Sequence, residues 1–343
     1  MCVKDIKDIK DTKCETWISL ESVGIPVEGC LRNREWLHQL NEIEVPCNQS
    51  SFLPSVYVDL PHIKITCIRN VAHGNFGYID LAKVETAEGV KEIYVKRPII
   101  HGTSLISEAC IQKMVGESLE AAHFPKGAPK VLRIFKLRDG SVCFAMEQIM
   151  GACTLDVYLD SIPPNQLPAV IIDCIIQLCA MKWHLHNEIG MNHRDLKPSN
   201  CLIVECAPET KFITIDNHIL ELSTKHSLTL IDFGFACIGN NKTYAADLSL
   251  STVYPKTDPC PKVGRDMFLF LGLLYIDYHI YFPSRLIYLF ESWLQEPGSK
   301  LCHFMKTDKE NSKKWLYFIT GNEDIVRFNS CPKRIISDLR AFC

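Results

Sequence analysis

No C-x-x-C pair occurs anywhere in the 343 residues, so the usual zinc-knuckle and dithiol redox patterns have no footing here. The closest spacings, Cys174 with Cys179 and Cys201 with Cys206, are C-x₄-C, the outer limit for zinc ligands, and the first lies inside an apolar helical run. The seventeen cysteines are an odd number and fall below the roughly 8–10% of a chain that marks a disulfide scaffold. They are expected to be reduced, mostly buried thiols. The opening MCVKDIKDIKDTKCETW contains no apolar run, so secretion is not expected, and the sequons at Asn48 and Asn241 read as chance. The most apolar stretch, Met267 to Tyr281, is interrupted by Asp277 and His279 and is shorter than the roughly 20 residues of a membrane span; it reads as a buried helix. Neither sign of charge dominates, with 37 basic against 40 acidic residues, which leaves no bulk electrostatic case for nucleic acid or anionic lipid as a partner.

What is present is an ordinary folded composition, 22% charged and 47% hydrophobic, in a chain long enough to divide into two lobes, since single cores stop growing near roughly 250–300 residues. Residues 1–64 form an extension of unreadable role, helical around Arg32–Leu40. From 65 to 147 short β-branched runs (ITCIRNV, YIDLAKVE, EIYVK, VLRIFKL, VCFAMEQI) alternate with turn signals such as Asp139-Gly140, predicting an antiparallel sheet with one helix over Ser104–Leu119. From 148 to 343 the pattern is helical, with helices expected at Leu167–Asn187, Arg265–Tyr281, Ser284–Gln295 and Pro332–Phe342, and two short strands at CLIV and LTLID. The expected class is α+β and bilobal: a small antiparallel-sheet lobe with one main helix, a hinge at about 147–151, and a mostly helical, shortened second lobe.

Two segments carry chemistry. Residues 193–200 read HRDLKPSN, and Asp232-Phe233-Gly234 follows the β-like LTLI. Phosphoryl transfer needs a carboxylate to take the proton of the acceptor hydroxyl, a cation for the migrating group, and oxygen ligands for Mg²⁺. Asp195, Lys197, and Asn200 with Asp232 supply these in that order.

On these motifs the chain resembles the eukaryotic-type protein kinase superfamily from about Ile68 to Asp266, and the remaining assignments are what the resemblance implies. VAHGNFGYIDLAKV at 71–84 stands where the glycine-rich phosphate loop belongs, with Val71, Ala72 in place of the first glycine, Gly74, Gly77, and Ile79 above the adenine. Alone, that G-x-x-G would be a hairpin turn. Lys96 matches the strand lysine that binds the α- and β-phosphates, and Glu108 its ion-pair partner, with Glu117 and Glu120 as competitors on or beside the same helix. Met146, Glu147 and Ile149 match the gatekeeper and hinge, Leu202 the floor of the adenine site, and Asp266 the aspartate that holds the catalytic-loop backbone. The implied cofactors are ATP and Mg²⁺, with Mn²⁺ as a substitute, and the implied partners are protein substrates, with no nucleic acid and no membrane span.

Departures from the family pattern bear on activity. Tyr94 stands where alanine usually faces the adenine. Gln112 takes an apolar spine position. Residues 205–226 are an insertion, read as an extra hairpin, and no A-P-E follows the D-F-G segment. The compact tail with Pro259-Cys260-Pro261 is similar to that of divergent serine/threonine kinases of large DNA viruses, which implies an infected cell or virion; otherwise the cytoplasm or nucleus is expected. Lys197, two residues after Asp195, favours serine/threonine over tyrosine as acceptor. Arg194 is expected to pair with a phosphate placed between Thr243 and Tyr254. The leading alternative is a pseudokinase scaffold, followed by a small-molecule phosphotransferase on the same fold.

Overall fold

The computed structural model describes residues 56–60, 63–74, 77–137, 139–215, 218–238, 262–321 and 328–340. The helix expected at 32–40, the 243–254 segment and the prolines at 259 and 261 lie outside these. The chain divides into two compact units, the described residues through Ile106 with Val131–Met146, and Ser107–Lys130 with the described residues from Glu147 onward.

The first unit is a six-stranded sheet ordered β1-β2-β3-β4-β6-β5, from β1 (Val56–Leu60), β2 (Ile63–His73), β3 (Gly77–Thr86), β4 (Gly89–Pro98), β5 (Val131–Lys136) and β6 (Val142–Glu147). Strand β1, inside the extension, was not foreseen; it pairs antiparallel with β2. Alternation sorts the side chains. Ala82, Ile93, Val95, Cys143 and Ala145 join Tyr57, Ile65 and Phe135 in one core on one face, each large aliphatic side chain contributing roughly 1.5–3 kcal/mol of burial. Pairing sets Ile79 opposite Lys96 and Leu81 opposite Tyr94, so these four occupy the other face.

A carboxylate intrudes on the apolar face. Asp80 is fully buried and accepts hydrogen bonds from the Tyr57 hydroxyl, from Asn70 Nδ2 at 2.7 Å and from Arg97 Nε at 2.6 Å. Burial first and Asp80 second push the Tyr57 phenol well above its ordinary range. With three donors the charge is compensated, and the cluster ties β1, β2 and β4 to β3.

The second unit contains α1 (Ile106–Ala121), β7 (Cys153–Thr154), α2 (Leu155–Ser161), α3 (Leu167–Ile189), β8 (Cys201–Ile215), β9 (His218–Leu230), α4 (Arg265–Tyr278), α5 (Ser284–Leu294), α6 (Lys300–Thr307), α7 (Lys309–Gly321) and α8 (Pro332–Arg340). Helix α3 is long and apolar enough to cross a membrane, but 61% of its most apolar window is buried within the protein. It ends where Gly190 enters the left-handed region at φ 59° and donates its N–H to the His186 carbonyl at 3.2 Å, an αL C-cap. Helix α4 ends at Tyr278, with residues 279–281 in a 3₁₀ turn.

The two short strands expected around the insertion and the hairpin expected within it form one continuous ribbon. β8 and β9 pair antiparallel from Cys201–Leu230 out to Ile215–His218, with a register shift between Glu205 and Glu209 that takes up the proline at 208, which cannot donate to the ladder. The ribbon is anchored to α3 and α2: Thr224 Oγ1 donates to Asp173 Oδ2 at 2.7 Å, His226 Nδ1 lies 2.6 Å from the same oxygen, and Tyr158 donates to Glu205 Oε1 at 2.5 Å. Ten described cysteines are free thiols, six of them buried. Cys237 corrects the all-reduced expectation, for it is disulfide-bonded.

Candidate active site

The turn after α3 delivers the chain to HRDLKPSN. Asn192 exchanges both backbone hydrogen bonds with Cys237, at 2.9 and 3.1 Å, so the residue before His193 is pinned to the segment after D-F-G. The Asn192 side chain also bonds both backbone groups of Lys262, just ahead of α4.

His193 is fully buried, and burial lowers its pKa below the ordinary histidine value. Burial thus favours the neutral ring. Its Nε2 lies 3.0 Å from the Ile231 carbonyl, which assigns the proton to Nε2, and Nδ1 is buried without a hydrogen-bond partner among the described residues. The imidazole packs against Phe233 at a centroid distance of 5.2 Å. Arg194 follows with φ 65°, a conformation costly for a side chain with a Cβ. Asp266 holds it there: its carboxylate accepts the His193 N–H at 2.7 Å and the Arg194 N–H at 2.9 Å. Burial alone would raise the Asp266 pKa, but the charge of Lys182 at 2.6 Å, with these hydrogen bonds, depresses it to about 2.

Asp195 projects from this turn, 7% exposed. Its Oδ2 accepts from Lys197 Nζ at 2.8 Å and from Asn200 Nδ2 at 3.0 Å, while Nδ2 also reaches the Asp195 carbonyl at 2.9 Å. Both side-chain bonds fall on Oδ2, so neither engages Oδ1. Asn200 spends its amide nitrogen on Asp195, so its Oδ1 is the end suited to a cation.

Asn200 and Asp232 come together because they flank the base of the ribbon. The Ile231 N–H donates to the Asn200 carbonyl at 3.1 Å, one step beyond the Cys201–Leu230 pair. Asp232 also has a left-handed backbone, φ 65°. An amide oxygen and a carboxylate are hard oxygen donors, and two protein ligands are what Mg²⁺ takes when phosphates and water complete its octahedron; the donor set fits that ion.

Glu108 is 1% exposed on the first turn of α1. A Cβ placed on Gly234 would lie 3.6 Å from both Glu108 Oε2 and Asp232 Oδ1, so the two carboxylates flank the D-F-G glycine. Glu117 is half exposed and pairs with Lys113 at 3.3 Å, and Glu120 is exposed. Gln112 has a local explanation: its Nε2 donates to the Pro129 carbonyl at 2.8 Å, so a buried amide ties α1 to the loop that follows it. Of the other expected residues in this unit, Glu147 bonds both backbone groups of Lys130, its N–H to the carbonyl and its Oε1 to the N–H, each at 2.9 Å. Ile149 is buried, and half-buried Leu202 pairs with Thr154 and Thr229.

In the sheet unit, Lys96 is 7% exposed. Gly77 lies against its stem: a Cβ there would meet Lys96 Cε at 3.2 Å and the Arg97 carbonyl at 3.1 Å. The Gly74 N–H closes the loop onto the Gly77 carbonyl at 2.9 Å, and nothing crowds Gly74 itself. Val71 is half-buried, and exposed Ala72 pairs with Ile79. Met146 is buried at the end of β6. Tyr94 is half-buried and, two residues from Lys96, shares its side of the sheet.

Sequence reasoning missed Lys182 and the Asp173–Thr224–His226 anchor. The only signal was a polar residue at an inward position of an apolar helix.

No protein-family model matches the chain, and no curated protein does. Among solved structures it is similar to the BubR1 kinase domain, at 13% identity and TM-score 0.45 over 94% of this chain and 93% of that one. It is also similar to the kinase domain PF14_0431, at 15% identity and TM-score 0.38 over 80% and 94%.

Proposed function

We propose that the chain is an ATP-dependent protein kinase that phosphorylates serine or threonine hydroxyls of protein substrates. The observation that carries this is the Asp195 carboxylate, cross-linked to Lys197 and Asn200 on a loop whose backbone Asp266 grips. In this reading Asp195 Oδ1 accepts the hydroxyl proton as the hydroxyl oxygen bonds to the γ-phosphorus and the bond to the bridging β–γ oxygen breaks, releasing ADP. Lys197 moves its charge from Asp195 to the migrating phosphoryl group. Asn200 and Asp232 would hold Mg²⁺, whose charge would neutralise that of the phosphates. Lys96 engages the α- and β-phosphates, and the backbone of 147–149 receives the adenine. The proposed setting is the cytoplasm or nucleus, within an infected cell or virion if the likeness to viral kinases extends to origin.

One observation favours a second reading, a pseudokinase: the bulk of Tyr94 on the face that carries Lys96. Purified protein with labelled ATP and Mg²⁺, assayed for autophosphorylation and for transfer to a generic basic protein, separates the two. Transfer that disappears in Asp195→Asn supports the kinase. Nucleotide binding without transfer identifies the scaffold.

A further inference from the structure

Lys182 sits mid-helix in α3 among buried neighbours, and only 3% of it is exposed. An ammonium placed there loses its hydration and is tolerated only with partners. It has them: the Asp266 carboxylate at 2.6 Å, and the carbonyl and the thioether sulfur of Met191, each at 3.2 Å. These partners lie on either side of one problem. Met191 leads into the catalytic loop, and Asp266 holds the amides of His193 and Arg194, the second in a left-handed conformation that persists only where surroundings enforce it.

We infer that Lys182 is a positioning residue for phosphoryl transfer, acting through Asp266 and the Met191 carbonyl to hold the backbone turn that aims Asp195. This rests on the kinase reading for its catalytic consequence, though not for the grip itself. Without the ammonium a buried Asp266 would relieve its charge by taking up a proton. A protonated carboxyl turns one oxygen into a donor, and it can no longer accept both backbone N–H groups as well. The other ionisable groups facing Asp266 do not replace Lys182. His186, also on α3, and His193 are both shifted toward the neutral form by burial, and Lys262 joins the cluster through its backbone bonds to Asn192. Asn192 Nδ2 is uncharged and 3.5 Å away.

The test is a double-mutant cycle on the full chain, with Lys182→Met, Asp266→Asn and the pair, reading steady-state kinetics and backbone amide exchange. Lys182→Met should lower kcat by about 10- to 100-fold while the KM for ATP moves less than about twofold. The pair should lose no more than the worse single variant, because both act on one turn. Multiplying losses, or a lowered melting temperature with kcat intact, would overturn the proposal. Amide exchange at His193 and Arg194 in the unaltered protein should be among the slowest in the second unit, and faster in Lys182→Met. Rapid exchange at both in the unaltered protein would also overturn it, even if the variant does not fold. If the unaltered protein transfers no phosphate while Lys182 still controls exchange at these amides, the kinase reading falls and the grip stands.

Discussion

In the proposed reaction, chemistry and stability separate at Asp195. Replacing one carboxylate oxygen with an amide preserves shape and leaves an acceptor for one neighbour, so Asp195→Asn should melt close to the parent while transfer falls at least about 10²-fold, the scale of a positioned base. Single-turnover assays beside a thermal melt check this. Tyr94 poses the opposite question. Because it shares the side of Lys96, Tyr94→Ala should tighten ATP binding or admit bulkier ATP-competitive inhibitors, measured by titration calorimetry; a truncation that only costs about 2–4 kcal/mol of stability would show the ring to be packing alone. Asp266 gives a pH prediction. Its folded pKa of about 2 lies below the ordinary carboxylate value of 3.8, so its stabilisation is full above that value and is lost as pH falls toward 2. The loss should be on the order of 2 kcal/mol in acid melts, and Asp266→Asn should flatten that slope. Residues of the candidate site were legible where the motif is contiguous, as in HRDLKPSN. Lys182 was not, because a lysine in an apolar helix does not announce its partner, and Gln112 read as a weakness until Pro129 supplied an acceptor.

At the scale of elements, the ribbon of β8 and β9 depends on a polar anchor. Asp173→Ala leaves Thr224 Oγ1 and the His226 ring without their shared acceptor, both buried, at a cost of roughly 1–3 kcal/mol. Denaturant melts should register that cost, with faster amide exchange between 205 and 226. An unchanged midpoint would show that Leu222 and Leu228 hold the ribbon by apolar contact alone. The sequence marked the inner ends as short strands and the insertion as a hairpin, but not that they form one ribbon, since Pro208 interrupts the β pattern and a bulge that rescues pairing leaves no compositional mark. Helices α6 and α7 escaped notice for a different reason: both are short and charged, and α6 rests on a single cap, Ser299 accepting the Cys302 N–H at 3.3 Å. The long apolar helices α3 and α4 were plain from their periodicity.

For the whole molecule, nucleotide binding should appear as added stability. ATP with Mg²⁺ at about 100 times its Kd adds roughly 2.7 kcal/mol to a folded state that binds it, so a melting point raised by several degrees, and not raised by ATP in excess chelator, is the expected outcome. A melt insensitive to both would remove ATP as a ligand. Chain order hid one aspect of organisation: α1 lies between strands of the sheet yet clusters with the helical unit, and no local pattern reports which neighbours a helix will choose. The ribbon has a kinetic consequence as well. Asn200 and Asp232 are separated by a long stretch of chain, and closing an unstructured loop of that length would be an entropic search. A hairpin closes stepwise, each pair shortening the gap for the next, on a timescale of roughly 1–10 μs. The two ends that hold Mg²⁺ in the proposed reaction are thus drawn together by local zippering.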